Sequence, residues 1–249
     1  MHRAWLALIV SLWAASQLAG VAQTAPIWLD TFENRLEMLA LTQTLNAEIL
    51  AGPSATLSLE KWCRDHKMAD DPVVLARPLA GIDKAPASEQ LQRLQVTSAA
   101  EVKYRGVELR CGSHVLSEAD NWYVPGRLTA AMNSLLETSD TPFGKAVQSL
   151  HPYRQTFAAA LLWSPLPAGW EQQRRPGGQS GERTRALELP KDLFEHRAIL
   201  YTSDHQPFSE VHERYQGEVL AFVRAADERP IGRHGPLWEN HDDREATEP

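Results

Sequence analysis

Two ionisable side chains in this 249-residue sequence stand where a carboxylate-bearing ligand could be gripped and a proton moved. The first is Arg105. In the strand-like run 102–111, a period of two puts Arg105 on one face with Val107, Leu109 and Cys111, and sends Glu108 and Arg110 to the other. A guanidinium on an apolar face is costly unless paired, and a carboxylate held through two parallel hydrogen bonds is its natural partner. That carboxylate is either a ligand's or an internal acid such as Glu213. Glu213 is the second candidate, alternating with Ser209, Val211 and Tyr215, while Glu210, His212 and Arg214 alternate outward or sit at a bulge. Beside Val and Tyr its carboxylate is expected to lose water, rise in pKa and become fit for proton transfer. His212, one position away, is the competing acid or base.

Weaker signals accompany these two. Thr141-Pro142-Phe143-Gly144 opens a helix, and amides at a helix start point at an anion, which makes Phe143 a candidate through its backbone. Ala55 follows the Pro53-Ser54 turn at another helix start. Trp122 and Tyr123 end a strand and either line a pocket or, as strand-end aromatics more often do, pack in the core or hairpin. Arg154 is a further cation, but Tyr153 and Phe157 around it indicate only sheet packing. Other chemistries find little support. Ser180 sits in a polar loop without the Gly-x-Ser-x-Gly pattern, and the 9 His show no His-Glu-x-x-His spacing. There is no phosphate loop or dinucleotide glycine pattern, and the two Cys are not a zinc signature.

The elements that must position these residues follow from periodicity. Leucines at helical spacing (Leu36, Leu39, Leu45, with Ile49) predict a helix over 27–50, stopped by Gly52-Pro53. A second helix is expected over 56–66 with Ser54 as N-cap. A short strand follows at 73–76, then a surface connection over 81–100 with one helical turn. Strands 102–111 and 115–124 form a hairpin around Gly112-Ser113. Helices are expected over 128–136 and 143–150, and strands over 153–163, 185–189, 196–203 and 207–215, the last two joined at 204–207. Hairpins with helices around them predict an α+β fold with a mostly antiparallel β-sheet flanked by helices.

Composition sets the remaining bounds. Hydrophobic content of 43% and charged content of 23% are those of a globular protein, and the net charge of −7 argues against nucleic acid or an anionic membrane surface as partner. Arg3, the apolar run 5–15 and Gly20-Val21-Ala22 form a signal-peptide pattern with the cut after Ala22. The organisation expected is therefore a leader over 1–22, one domain over 27–226 and a charged, disordered tail over 227–249. Localisation is expected to be periplasmic or secreted, with no membrane association once the leader is removed and a monomer as the working state. In an oxidising compartment Cys63 and Cys111 either bridge or remain two buried thiols.

Leu116-Ser117-Glu118-Ala119-Asp120-Asn121-Trp122-Tyr123-Val124-Pro125, followed by Asp140-Thr141-Pro142-Phe143-Gly144, resembles the middle of the chorismate lyase family. The resemblance runs roughly over 45–222. It implies a chorismate lyase-like fold and the removal of pyruvate from chorismate to leave 4-hydroxybenzoate, with no metal and no cofactor. By the same resemblance Arg105, or its rival Arg110, would contact a ligand carboxylate. The amides of Phe143 and Ala55 would hold the substrate, and Glu213 would be the active-site acid, matched by Glu213-Arg214-Tyr215. The fold is also similar to effector-binding domains of bacterial repressors. The alternative expectation is therefore a non-catalytic periplasmic domain whose partner is a small anionic or aromatic ligand.

Overall fold

The computed structural model describes residues 28–172 and 185–222. The expected leader and charged tail lie outside the described residues, as does Ser180.

Helix α1 (Phe32–Ala51) begins where the Thr31 hydroxyl accepts a hydrogen bond from the Asn34 amide at 3.1 Å, not at Ile27. Met38, Thr42, Leu45 and Ile49 form its buried stripe, and Leu36 and Leu39 flank it. Gly52 and Pro53 end α1. Helix α2 (Ala55–Asp65) starts at once and buries Leu59, Trp62 and Cys63. The Trp62 indole donates to the Val219 carbonyl at 2.8 Å, which ties α2 to the 3-10 turn Gly217–Leu220 that follows β6.

Six strands make one sheet: β1 (Val74–Pro78), β2 (Lys103–Cys111), β3 (His114–Tyr123), β4 (Tyr153–Leu161), β5 (Asp192–Tyr201) and β6 (Pro207–Gln216). Their order is β1-β2-β3-β6-β5-β4 and every pairing is antiparallel, so the expected α+β class with an antiparallel sheet is what the structure shows. The β2–β3 turn uses Gly112 at φ +55°, and the β5–β6 turn places His205 at φ +64°. Helices α4 (Ala130–Thr138) and α5 (Phe143–Ala146) complete the inner layer.

The sheet has two unlike faces. The inner face carries the main core, where α1 and α2 pack Leu45, Ile49 and Leu59 against Val107, Leu109, Phe194 and Tyr215. Beside it Phe143, Val147 and Leu136 pack on Ala198, Leu200 and Phe208. Cys63 of α2 and Cys111 of β2 are joined in a disulfide, with Cα atoms 6.5 Å apart. The outer face is charged. Lys84 pairs with Asp120 at 2.7 Å, Arg214 with Glu118 at 3.0 Å, and His212 with Glu195 at 2.7 Å.

Three expectations need correction. The stretch 81–100 is not mere surface connection, because it holds helix α3 (Ser88–Leu94), which lies on the outer face with Gln90 and Leu94 buried. Its Arg93 grips Glu210 through Nε and Nη2, both at 2.8 Å, so Glu210 is buried rather than solvated. The helix expected over 143–150 stops at Ala146 and passes into a 3-10 turn at Gln148–Leu150, since the approach to Pro152 disfavours helical backbone. The strand expected over 185–189 is a single bridge, Leu29 to Ala186, because Pro190 cannot extend a ladder.

Candidate functional site

A pocket opens on the inner face between the starts of α2 and α5 and the middle of the sheet. Ser54, Ala55 and Thr56 supply one wall, Phe143 and Gly144 the next, and Val107, Leu109, Leu200 and Val211 the apolar floor. Among the described residues the only charged side chains in the lining are Arg154 and Glu213. The cavity volume is about 30 Å³. That is room for roughly two water molecules.

Glu213 projects from β6 on the inner face, as alternation requires, but it is not isolated among apolar neighbours. Arg154 Nη2 donates to its Oε2 at 2.7 Å, and the Tyr215 hydroxyl donates to the same oxygen at 2.9 Å. The ion pair is nearly sealed, with side-chain exposures of 3% for Arg154 and 9% for Glu213. Burial is the largest influence and works to lower the Arg154 pKa, but the charges and hydrogen bonds of Glu213 and Tyr215 together outweigh it and leave the guanidinium above its ordinary value. Burial first, and Glu213 second, push the Tyr215 hydroxyl well above the usual phenol range. Tyr215 therefore serves as a hydrogen-bond donor and not as a base.

His196 stands opposite Glu213 in the β5–β6 register. Its Nε2 is 2.7 Å from Asn46 Oδ1, an acceptor, so the proton sits on Nε2 and Nδ1 presents a lone pair. Burial lowers its pKa to about 4 against the pull of Glu213, so the ring is neutral at physiological pH. His196 Nδ1 has no hydrogen-bond partner among the described residues.

The α2 end of the pocket is polar without being charged. Ser54 is the N-cap, yet its side chain makes no capping bond, and its buried Oγ has no partner among the described residues. The first-turn N–H groups of α2 are thus left uncapped beside the cavity. Gly144 lets the α5 start approach this wall, since a Cβ there would lie 2.5 Å from Ser54 Oγ and 3.2 Å from Thr56 Oγ1.

Of the residues singled out from the sequence, Ala55, Phe143 and Glu213 line this pocket together and Arg105 does not. Arg105 is buried on the inner face as alternation predicts. Its Nη2 donates to the carbonyls of Thr141 at 3.1 Å and Ser139 at 3.4 Å, tying down the segment that leads into α5. Glu213, proposed above as its internal partner, is held by Arg154 instead. Burial lowers the Arg105 pKa from the ordinary arginine value. Its rival Arg110 pairs with Glu108 at 2.9 Å on the outer face. His212 is also on that face, bound to Glu195. Phe143 contributes its ring, packed 5.6 Å from Tyr123 and 6.3 Å from Phe208.

In the sequence the aromatic neighbours of Arg154 mask its role. The available signal was that 155–163 carries no charge at all, which makes a lone arginine at the head of that run an anomaly. His196 and Asn46 gave no signal, because they are 150 residues apart and meet only by packing α1 on β5.

No protein-family model matches the chain. Several solved structures are similar to it at low scores. The effector domain of PhnF from Mycobacterium smegmatis gives a TM-score of 0.41 at 14% identity, covering 67% of this chain and 90% of that one. The ligand-binding domain of a putative GntR-family transcriptional regulator from Bordetella bronchiseptica gives 0.37 at 16% identity, covering 58% and 83%. The possible transcriptional regulator YydK from Bacillus subtilis gives 0.36 at 14%, covering 64% and 67%. Scores of this size do not by themselves establish a shared fold. The sequence match is of another order: the Sinorhizobium fredii (strain NBRC 101917 / NGR234) "Uncharacterized protein y4mC" is 46% identical over 198 residues, covering 78% of this chain and 81% of the relative. On that likeness the chain belongs to the family of the Sinorhizobium fredii protein y4mC.

Proposed function

We propose that this chain is a small-molecule-binding domain of chorismate lyase-like fold, whose inner pocket takes a small metabolite carrying one carboxylate. The observation that carries the reading is the sealed Arg154–Glu213 pair. It leaves the charged lining neutral overall, so a dianion would meet no uncommitted cation there. A single carboxylate, however, is served by the uncapped α2 start and the unpartnered Ser54 hydroxyl. The floor of Val107, Leu109, Leu200 and Val211 suits a short aliphatic body, and the two helix starts must part to admit it. We place the domain outside the cytoplasm on the leader pattern over 1–22, and the Cys63–Cys111 disulfide fits an oxidising compartment.

A second reading, a chorismate pyruvate-lyase, draws on the convergence of Ala55, Phe143 and Glu213 in one pocket. In that reaction the ring C4 proton leaves, the ether C–O bond breaks, the ring becomes 4-hydroxybenzoate and the enol product takes a proton to become pyruvate. Glu213 would carry the proton.

One set of experiments separates the readings. Thermal shifts are measured with pyruvate and isovalerate, and chorismate is followed for release of pyruvate and 4-hydroxybenzoate. Binding predicts stabilisation without products, weakened by Ser54→Ala. Glu213→Gln would enlarge it, because the substitution frees Arg154 for the ligand. Products from the parent that vanish in Glu213→Gln would replace the binding reading by the lyase.

A further inference from the structure

A cavity larger than the inner pocket lies on the other face of the sheet. A groove of about 340 Å³ lies between α3 and the outer side of β3, β6 and β5. Volumes of roughly 300 Å³ and more are those of small-molecule sites.

The groove's polar walls are mostly committed to each other. Arg93 and Glu210 are joined by two hydrogen bonds of 2.8 Å, and Gln90 donates to Glu210 at 3.3 Å while its oxygen accepts from the Ala87 amide at 2.9 Å. His212 Nε2 is spent on Glu195 at 2.7 Å, and the Trp122 indole N–H on the Lys84 carbonyl at 2.9 Å. Arg197 is the exception. It lines the groove from β5, directly across from His212 in the register, and its side chain has no ion-pair or hydrogen-bond partner among the described residues.

We propose that this groove is a second ligand site, for an aromatic compound bearing a single carboxylate. The carboxylate is received by the planar fork of Arg197 through two parallel hydrogen bonds. The ring lies against the Trp122 side chain, whose N–H is already satisfied and whose apolar body forms the wall. Glu89 at the rim and the carboxylates of Glu210 and Glu195 repel a second negative charge, which restricts the ligand to one. The site is independent of the inner pocket, with which it shares no lining residue.

Benzoate is the probe, titrated into the full chain while the indole N–H resonance of Trp122 is followed, assigned by its loss in Trp122→Phe. Trp122 lines the groove, and among the described residues no tryptophan lines the inner pocket, so this signal reports the groove. The expected result is a saturable shift with benzoate. Arg197→Ala raises the apparent Kd by roughly tenfold or more, since hydrogen bonds to a charged group are lost. Arg197→Lys keeps the charge without the fork and falls between, and the neutral isostere benzamide and the dianion phthalate bind the parent more weakly than benzoate. Arg197 is exposed and its side chain makes no bonds among the described residues, so the alanine variant is expected to keep the parent's melting temperature. An unmoved Trp122 resonance, equal affinity in Arg197→Ala, or equal binding of benzamide would overturn the proposal.

Discussion

Arg154 of β4 and Glu213 of β6 form a sealed ion pair, Nη2 to Oε2 2.7 Å, although β5 runs between their strands. In the registers Arg154 stands beside Leu200 and Glu213 beside His196. The residue between those two on the same face of β5 is Ala198, whose small side chain leaves a path for the guanidinium. A bulky residue at that point would keep the two charges apart. The contact between the pocket's two charges is thus owed to one alanine and one long side chain.

Removing one partner strands the other charge in the protein interior. Arg154→Met is expected to cost about 3–5 kcal/mol in urea unfolding at neutral pH. Combining it with Glu213→Gln should recover much of that loss, because neither residual group is then charged. Strict additivity of the two single changes would mean that the pair is not coupled.

His196 predicts a pH limb of stability. Its folded pKa of about 4 lies below the ordinary 6.5, so the unfolded chain binds the proton first as pH falls. The stabilisation tied to its neutral form is complete above about 6.5 and is lost on acidification toward about 4. A His196→Gln protein should lose the part of the acid limb between those values, read as the difference between the two stability curves. Superimposable slopes over that window would contradict a buried neutral imidazole.

The Cys63–Cys111 disulfide spans 48 residues of sequence and ties α2, which forms one pocket wall, to β2, which forms part of the floor. Chain-entropy reasoning assigns such a loop about 4 kcal/mol. The Cys63→Ser/Cys111→Ser protein should melt lower than the parent and should also bind inner-pocket ligands more weakly, since the last turn of α2 is no longer tied to β2 and the whole helix can shift at the pocket wall. Unchanged melting in the double variant or under reductant would show that packing alone holds α2.

Arg105 acts on the pocket at one remove. Arg105→Ala leaves the Thr141 and Ser139 carbonyls without their donor and is expected to cost about 1–3 kcal/mol of stability. Isovalerate affinity should fall by less than about tenfold, because the guanidinium holds the α5 lead-in and not the ligand. Abolished binding with stability intact would put Arg105 on the ligand after all.

Much of the architecture was legible from local patterns. Alternation along 102–111 and 207–215 placed Arg105 and Glu213 on the inner face, and Gly112-Ser113 marked the hairpin between β2 and β3. The Gly52-Pro53 stop and the Thr141-Pro142 start marked the two helix boundaries that frame the pocket. These features are set by steric rules acting within a few residues. The inner face of α1 was placed less well, since Met38 and Thr42 are buried and Leu36 and Leu39 only flank them. Helix phase is settled by what the helix packs on, and hydrophobicity alone leaves it loose.

By itself the sequence determined which side chains could face inward, where the turns fall and that the sheet is built from hairpins. Partnership was decided only by the tertiary structure. Glu213 could have paired with Arg105 or with a ligand, and the order β3-β6-β5-β4 brought Arg154 to it instead. Arg93 met Glu210 because α3 folds back over the outer face, 117 residues away in sequence. Charge pairing depends on distances of a few ångströms between strands remote in the chain, and no local periodicity encodes them.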